Sequence, residues 1–163
     1  MRLVAFDKGR MAMEIEKKFL IREMPKDLSG YPYSEIEQAY LNAEPVLRIR
    51  QKDDNYILTY KSKGMMVRME EEFPLDEQAY LHLRDKADGQ VITKTRYFIP
   101  YDKYTVELDV FHGGMAPLVM AEVEFSTEED ANGFVPPDWF GREVTFEKKY
   151  HNVNMALGGY SYE

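Results

Sequence analysis

The sequence predicts a mainly β (α+β) fold built on an antiparallel sheet, and three observations carry that expectation. Apolar and polar residues alternate with period two in short runs rich in β-branched and aromatic side chains. Clusters of turn-forming residues interrupt those runs at short intervals. Pairs of like charges recur at i and i+2, the spacing that puts two side chains on one face of a strand.

Eight strands are expected, near residues 13–22, 35–42, 45–52, 55–63, 65–74, 90–100, 103–112 and 117–126, with bounds good to about two to four residues. Asp53-Asp54-Asn55, Lys63-Gly64, Pro100-Tyr101-Asp102 and His112-Gly113-Gly114 supply the turns between consecutive strands, which suggests a meander. A helix is expected over 76–88, opened by Asp76 and ended by Gly89, with Ala79, Leu83 and Ala87 at four-residue spacing. A second, short helix opens at Ser126 with Glu129 completing a capping box. Pro136-Pro137-Asp138-Trp139-Phe140-Gly141 reads as an aromatic loop in which Trp139 is an anchor. The chain then enters a C-terminal helix stopped by Gly158-Gly159.

With 163 residues, 44% hydrophobic content and 13% aromatic content, the chain can bury one core, so a single domain is expected over 13–160. Met11 and Met13 stand close to the first motif, and residues 1–12 read as an extension or leader. The 29 acidic against 21 basic residues disfavour duplex nucleic acid and anionic lipid as partners. The absence of cysteine excludes thiolate zinc sites, disulfides and cysteine nucleophiles, and fits a reducing cytoplasm. No apolar stretch reaches the roughly 18 residues of a membrane span. No P-loop or recognisable catalytic triad is present. His82, His112 and His151 stand alone and read as surface, turn or capping residues, and the ten methionines as gap-filling core.

The charge pairs are Glu14 and Glu16 followed by Lys18, Arg48 and Arg50, Glu70 and Glu72, Lys94 and Arg96, Glu107 and Asp109, and Glu122 and Glu124. Two like charges about 7 Å apart repel by roughly 2 kcal/mol at an effective dielectric near 20. An ordinary exposed sheet face mixes signs to gain cross-strand pairs. Here the signs are segregated by strand, which suits a ligand that needs carboxylates for hard divalent cations and basic groups for a polyanion. Eight strands suffice to close a barrel around such a face. The intervening Ile15, Phe19, Ile49, Leu108, Val123 and Phe125 would then pack outside it, beneath the helices.

Glu14-Ile15-Glu16-Lys17-Lys18 matches the ExExK signature of the CYTH, or triphosphate tunnel metalloenzyme, family. Leu47-Arg48-Ile49-Arg50, Thr59-Tyr60-Lys61-Ser62, Lys94-Thr95-Arg96-Tyr97, Val106-Glu107-Leu108-Asp109-Val110 and Ala121-Glu122-Val123-Glu124-Phe125 resemble its later motifs in order. The Trp139-Phe140-Gly141, Val144-Thr145 and Tyr150-His151-Asn152 segments are similar to short bacterial members, so the resemblance spans about residues 13–158.

The resemblance implies a closed eight-stranded antiparallel tunnel, open at both ends, with flanking helices. It also implies one or two Mg²⁺ or Mn²⁺ ions and a triphosphate-containing small molecule as partner. Lys18, Arg48, Arg50, Lys61, Lys94 and Arg96 match its phosphate-holding residues, and Lys149 stands where many relatives have arginine near a tunnel mouth. Glu14, Glu16, Glu122 and Glu124 match the metal carboxylates, with Glu70, Glu72 and Asp109 as second-metal or water-orienting groups. Glu16, Lys18, Tyr40 and Lys94 are the catalytic candidates, Tyr40 standing in Gln38-Ala39-Tyr40-Leu41.

The implied activity is hydrolysis of the terminal phosphate of inorganic triphosphate or a nucleoside triphosphate. The alternatives within the family are class IV adenylate cyclase and thiamine triphosphate hydrolysis. Outside catalysis stand a lipocalin-type barrel, which would need an apolar lumen, and a polyphosphate- or metal-binding sensor. The sequence leaves the oligomeric state open.

Overall fold

The computed structural model describes residues 12–64, 67–158 and 160–162. Its strands are β1 (Ala12–Ile21), β2 (Tyr33–Asn42), β3 (Val46–Lys52), β4 (Asn55–Lys61), β5 (Val67–Leu75), β6 (Asp88–Tyr101), β7 (Tyr104–Phe111), β8 (Val119–Glu124) and β9 (Phe140–Glu143). The helices are α1 (Glu77–Arg84), α2 (Glu128–Gly133) and α3 (Asn152–Gly158). The leader expected over 1–12 lies outside the described residues except for Ala12, which opens β1, and Gly159 lies outside them too.

All the strand pairs are antiparallel, and β1 to β8 close into a barrel in the order β5-β4-β3-β2-β6-β7-β8-β1, with β1 returning to β5. This is not a simple meander. β1 pairs with β8 and β5 instead of β2, and β2 pairs with β6. Two turns need the left-handed region: the two-residue connections at Asp53 (φ 53°) and Asp102 (φ 52°) close β3–β4 and β6–β7.

The barrel is inside out. Ile15, Phe19, Val106, Leu108, Val123 and Phe125 pack on its outer face with Ala131 of α2. Ala39 and Ile49 pack outside with Tyr80 of α1. A third cluster fills one end of the lumen, where Tyr40, Ile92, Phe111 and Met120 meet Met155 and Ala156 of α3.

Three local expectations shift. The helix expected over 76–88 ends at Arg84, capped as expected by Asp76, whose carboxylate accepts from the Ala79 amide at 2.7 Å. Gly89 ends no helix. It lies in β6 at φ +66°, where a Cβ would stand 2.1 Å from the Ala156 carbonyl oxygen, so it is needed for the close approach of α3 to the barrel. The cap of α2 is Thr127, which accepts from Asp130 N at 3.1 Å, one residue beyond the expected Ser126. The aromatic loop also hides a strand, since Phe140 and Glu143 of β9 pair with Ile21 and Phe19 of β1.

Candidate active site

The closure order gathers charge that the sequence holds apart. The adjacent strands β7, β8, β1 and β5 carry Glu107, Asp109, Glu122, Glu124, Glu14, Glu16, Glu70 and Glu72, and form an acidic half-barrel. The other four, β4, β3, β2 and β6, carry Lys61, Arg48, Arg50, Lys52, Lys94 and Arg96. Period-two alternation places all of these on the lumen face, because the residues between them make the outer clusters.

Between the halves lies a cavity of about 500 Å³. Among the described residues its walls hold seven carboxylates, Glu14, Glu16, Glu70, Glu72, Glu107, Glu122 and Glu124. They also hold seven cations, Lys18, Arg48, Arg50, Lys52, Lys61, Arg68 and Arg96.

On the basic wall the Arg48 and Arg50 guanidinium groups rest on neutral partners. Arg50 donates to Gln38 Oε1 through Nε (3.0 Å) and Nη2 (2.8 Å), and Arg48 Nη2 donates to the Thr59 hydroxyl at 3.1 Å. Arg48 Nε is buried without a hydrogen-bond partner, a donor that an anion in the cavity would satisfy. Burial, with Arg48 and Arg96 nearby, pulls Arg50 down to about 10. Gln38 Nε2 donates to the Tyr40 hydroxyl at 2.8 Å, which leaves the hydroxyl proton for another acceptor.

On the acidic wall Glu14, Glu16, Glu70, Glu107 and Glu122 already hold cations. Lys61 Nζ donates to Glu14 at 2.8 and 3.0 Å and lies 3.6 Å from Glu70. Arg68 reaches both Glu14 (3.1 Å) and Glu16 (3.6 Å). Lys18 lies 3.4 Å from Glu122 and 3.8 Å from Glu16, its backbone held by Thr145 Oγ1 and by Val144 N. Burial and the Glu122 charge push Glu16 up, while Lys18 and Arg96 overcome burial and hold Glu122 well below the usual carboxylate range. Burial and the surrounding Glu14, Glu107 and Glu70 raise Glu124. Burial lowers Lys61, and Arg48 adds to it.

The expected residues do not all line the cavity. Lys94 and Asp109 are wholly buried behind it, paired at 2.6 Å, with Lys94 also 5.3 Å from the Phe111 ring centroid. Asp109 accepts from Arg96 at 2.7 and 2.8 Å, so both its oxygens are engaged, and Arg96 continues to Glu122 at 3.1 Å and to Glu107. Burial, against the opposing pull of Asp109, brings Lys94 down to about 8. Lys149 is exposed, its ammonium 5.4 Å from the Tyr150 ring centroid, and it is not a lining residue.

Conversely, Lys52, Arg68, His151 and Asn152 join the lining from outside the expected set. Lys52 and Arg68 extend the i, i+2 series of β3 and β5 by one step, a signal that the sequence contains. His151 enters from the turn before α3 and Asn152 from its first position, which no periodicity marks. The His151 ring nitrogen meets the Thr145 carbonyl at 2.8 Å, and burial lowers its pKa.

The donor chemistry fits a metal. The oxygen-only set Glu14, Glu16, Glu70, Glu72, Glu122 and Glu124 suits a hard divalent cation. Glu16 and Glu124 are direct cross-strand partners, a like-charge pairing that a cation would relieve. Among the described residues no three acidic or imidazole groups converge on one point, and Lys18, Lys61 and Arg68 hold Glu14 and Glu16.

The fold and site define a closed antiparallel barrel with an acid half and a basic half around one cavity. The chain belongs to the CYTH domain family, which matches residues 12–152. An inorganic triphosphatase of Nitrosomonas europaea is 41% identical over 150 residues, covering 88% of this chain and 97% of that protein. An inorganic triphosphatase of Acetivibrio thermocellus is 34% identical over 161 residues, covering 92% and 97%. A crystal structure of an inorganic triphosphatase superposes with a TM-score of 0.68 at 37% identity, covering 91% of this chain and 97% of that one.

Proposed function

We propose that this chain is a divalent-metal-dependent inorganic triphosphatase that hydrolyses the terminal phosphoanhydride bond of a triphosphate bound in the barrel. The observation that carries the metal requirement is charge balance. Seven carboxylates offset seven cations along the cavity, so the walls alone offer no net positive charge to a polyanion. Divalent cations on the acidic half would supply it, and the basic half would hold the remaining phosphate oxygens. The similarity to inorganic triphosphatases over most of the chain supports the substrate class.

Glu14, Glu16, Glu122 and Glu124, with Glu70 and Glu72, would hold Mg²⁺ or Mn²⁺. When bound, such an ion polarises phosphate oxygens and lowers the pKa of a coordinated water. Arg48 and Arg50 offer planar donors and Lys18 and Lys61 point charges to the phosphates. Because neutral groups hold the two arginines in place, they need not break an ion pair first. Tyr40 presents its free hydroxyl proton to a phosphate oxygen. Lys94 and Asp109, buried behind the wall, fix the Arg96 guanidinium. Lys149 would act only at the outer surface.

The test is phosphate release from inorganic triphosphate and from ATP with Mg²⁺, Mn²⁺ or EDTA, alongside chromatography for cyclic AMP. Metal-dependent release that prefers inorganic triphosphate is expected. Cyclic AMP formation, or silence on every substrate, would refute this assignment.

A further inference from the structure

We propose that Arg68 is the resident counter-ion of the Glu14–Glu16 pair, a built-in competitor that a divalent cation must displace to bind. This inference rests on the proposed function, which assigns those two glutamates to the metal. Among the described residues the acidic half-barrel lines the cavity with two cations, Lys18 and Arg68. Lys18 sits on the Glu122 side, 3.4 Å from it. Arg68 stands directly across the β1–β5 ladder from Glu14.

Its guanidinium is wide enough to bridge two carboxylates at i and i+2. Nε lies 3.1 Å from Glu14 Oε2, and Nη2 lies 3.6 Å from Glu16 Oε1. Lys61 binds Glu14 but makes no ion pair with Glu16 among the described residues. Arg68 alone therefore spans the pair, and it uses oxygen lone pairs that a hard cation would need.

The arrangement also gives the guanidinium somewhere to go. Its side chain is 13% exposed and borders the cavity, so it can leave the carboxylates by rotating into that space. A cation arriving at Glu14 and Glu16 then replaces one ion pair by another and frees a guanidinium beside the polyanion. Metal loading and phosphate binding become linked through one side chain, and linkage of this kind acts in both directions.

The test uses the whole chain, with no phosphate compound present. Free Mn²⁺ is followed by its electron paramagnetic resonance signal in wild type, Arg68→Gln and Glu16→Gln, each checked for fold by circular dichroism. Arg68→Gln should bind Mn²⁺ about tenfold more tightly than wild type, and Glu16→Gln more weakly. Unchanged or weaker binding in Arg68→Gln, with Glu16→Gln still impaired, would overturn the proposal alone. Mn²⁺ binding indifferent to both substitutions would overturn the metal assignment and this inference with it. Should Arg68→Gln not fold, ¹⁵N spectra of the arginine Nε–H groups in wild type decide the matter. The Arg68 signal, assigned through Arg68→Lys, should shift on adding Mg²⁺, and a signal that stays in place rules out displacement.

Discussion

Across the lumen, Arg50 rests on the Gln38 amide and Arg48 on the Thr59 hydroxyl, whereas Glu14 holds Lys61 and Arg68, and Glu16 holds Lys18 and the same Arg68. In the basic half Arg48 and Arg50 are poised for an anion, because neutral partners orient them, whereas Arg96 and Lys61 of the same half already hold carboxylates. The acidic half is occupied by the protein's own cations. Two walls of opposite sign in one barrel thus differ in what binding requires: the anion site is preformed, while the cation site forms by exchange of ion pairs.

Asp109 is the exception among the acids. It belongs to the acidic half by strand, yet it is buried with Lys94 and Arg96 on its two oxygens. Asp109→Ala takes from buried Lys94 its carboxylate partner and from Arg96 one of three, and should cost about 3–5 kcal/mol, read as a lower denaturation midpoint in urea. A loss no larger than that of Glu124→Ala would make Asp109 an ordinary member of the acid wall.

One residue from each wall separates their roles. Glu16→Gln should lower triphosphate turnover by roughly a hundred- to a thousandfold while leaving the metal-free protein at least as stable, since burial and Glu122 already oppose the Glu16 charge. Arg50→Gln should instead weaken triphosphate binding by about 1.5–3 kcal/mol, the usual worth of a hydrogen bond to a charged group, and leave Mn²⁺ affinity unchanged. Calorimetric titration with each ligand separates the two, and equal loss of both ligands in both variants would show that the walls act as one site.

Changes of pH should act more mildly. Burial holds Glu16 and Glu124 above the ordinary glutamate value, so between that value and their own they keep protons in the folded protein that the unfolded chain has released. In that window the folded state binds more protons, and these two groups make the metal-free protein less stable as pH rises. A metal must displace the same protons, so Mn²⁺ affinity should climb with pH by at most about tenfold per unit for each proton released. It should level off once both groups are ionised. Affinity that falls with pH across this range would remove the glutamates from the metal site.

Much of the site is legible in the residues themselves, because strand periodicity is local. The alternation of Glu14, Glu16 and Lys18 with Ile15 and Phe19 fixes which side chains share a face, and the like-charge pairs make that face unusual. Helix α1 is legible through its cap, and the barrel motifs through their order. Lys52 and Arg68 are within reach, one step further along the series of Arg48 and Arg50 and of Glu70 and Glu72. Strand β9 escapes such a reading because its four residues, Phe140–Glu143, are too few to show a period and pair only with β1.

Inward charges, outward aliphatics and family membership thus follow from the order of residues alone. Which strands are neighbours does not, and with that neighbourhood comes everything electrostatic. β1 joins β5 and β8 only through contacts distant in the chain, which no local preference encodes. That pairing collects the acids into one half of the lumen, sets Arg68 opposite Glu14, and buries Lys94 with Asp109 behind the cavity wall. Charge type is a property of the residue, but the work of a charge depends on distance and burial, and those are set by the closed barrel.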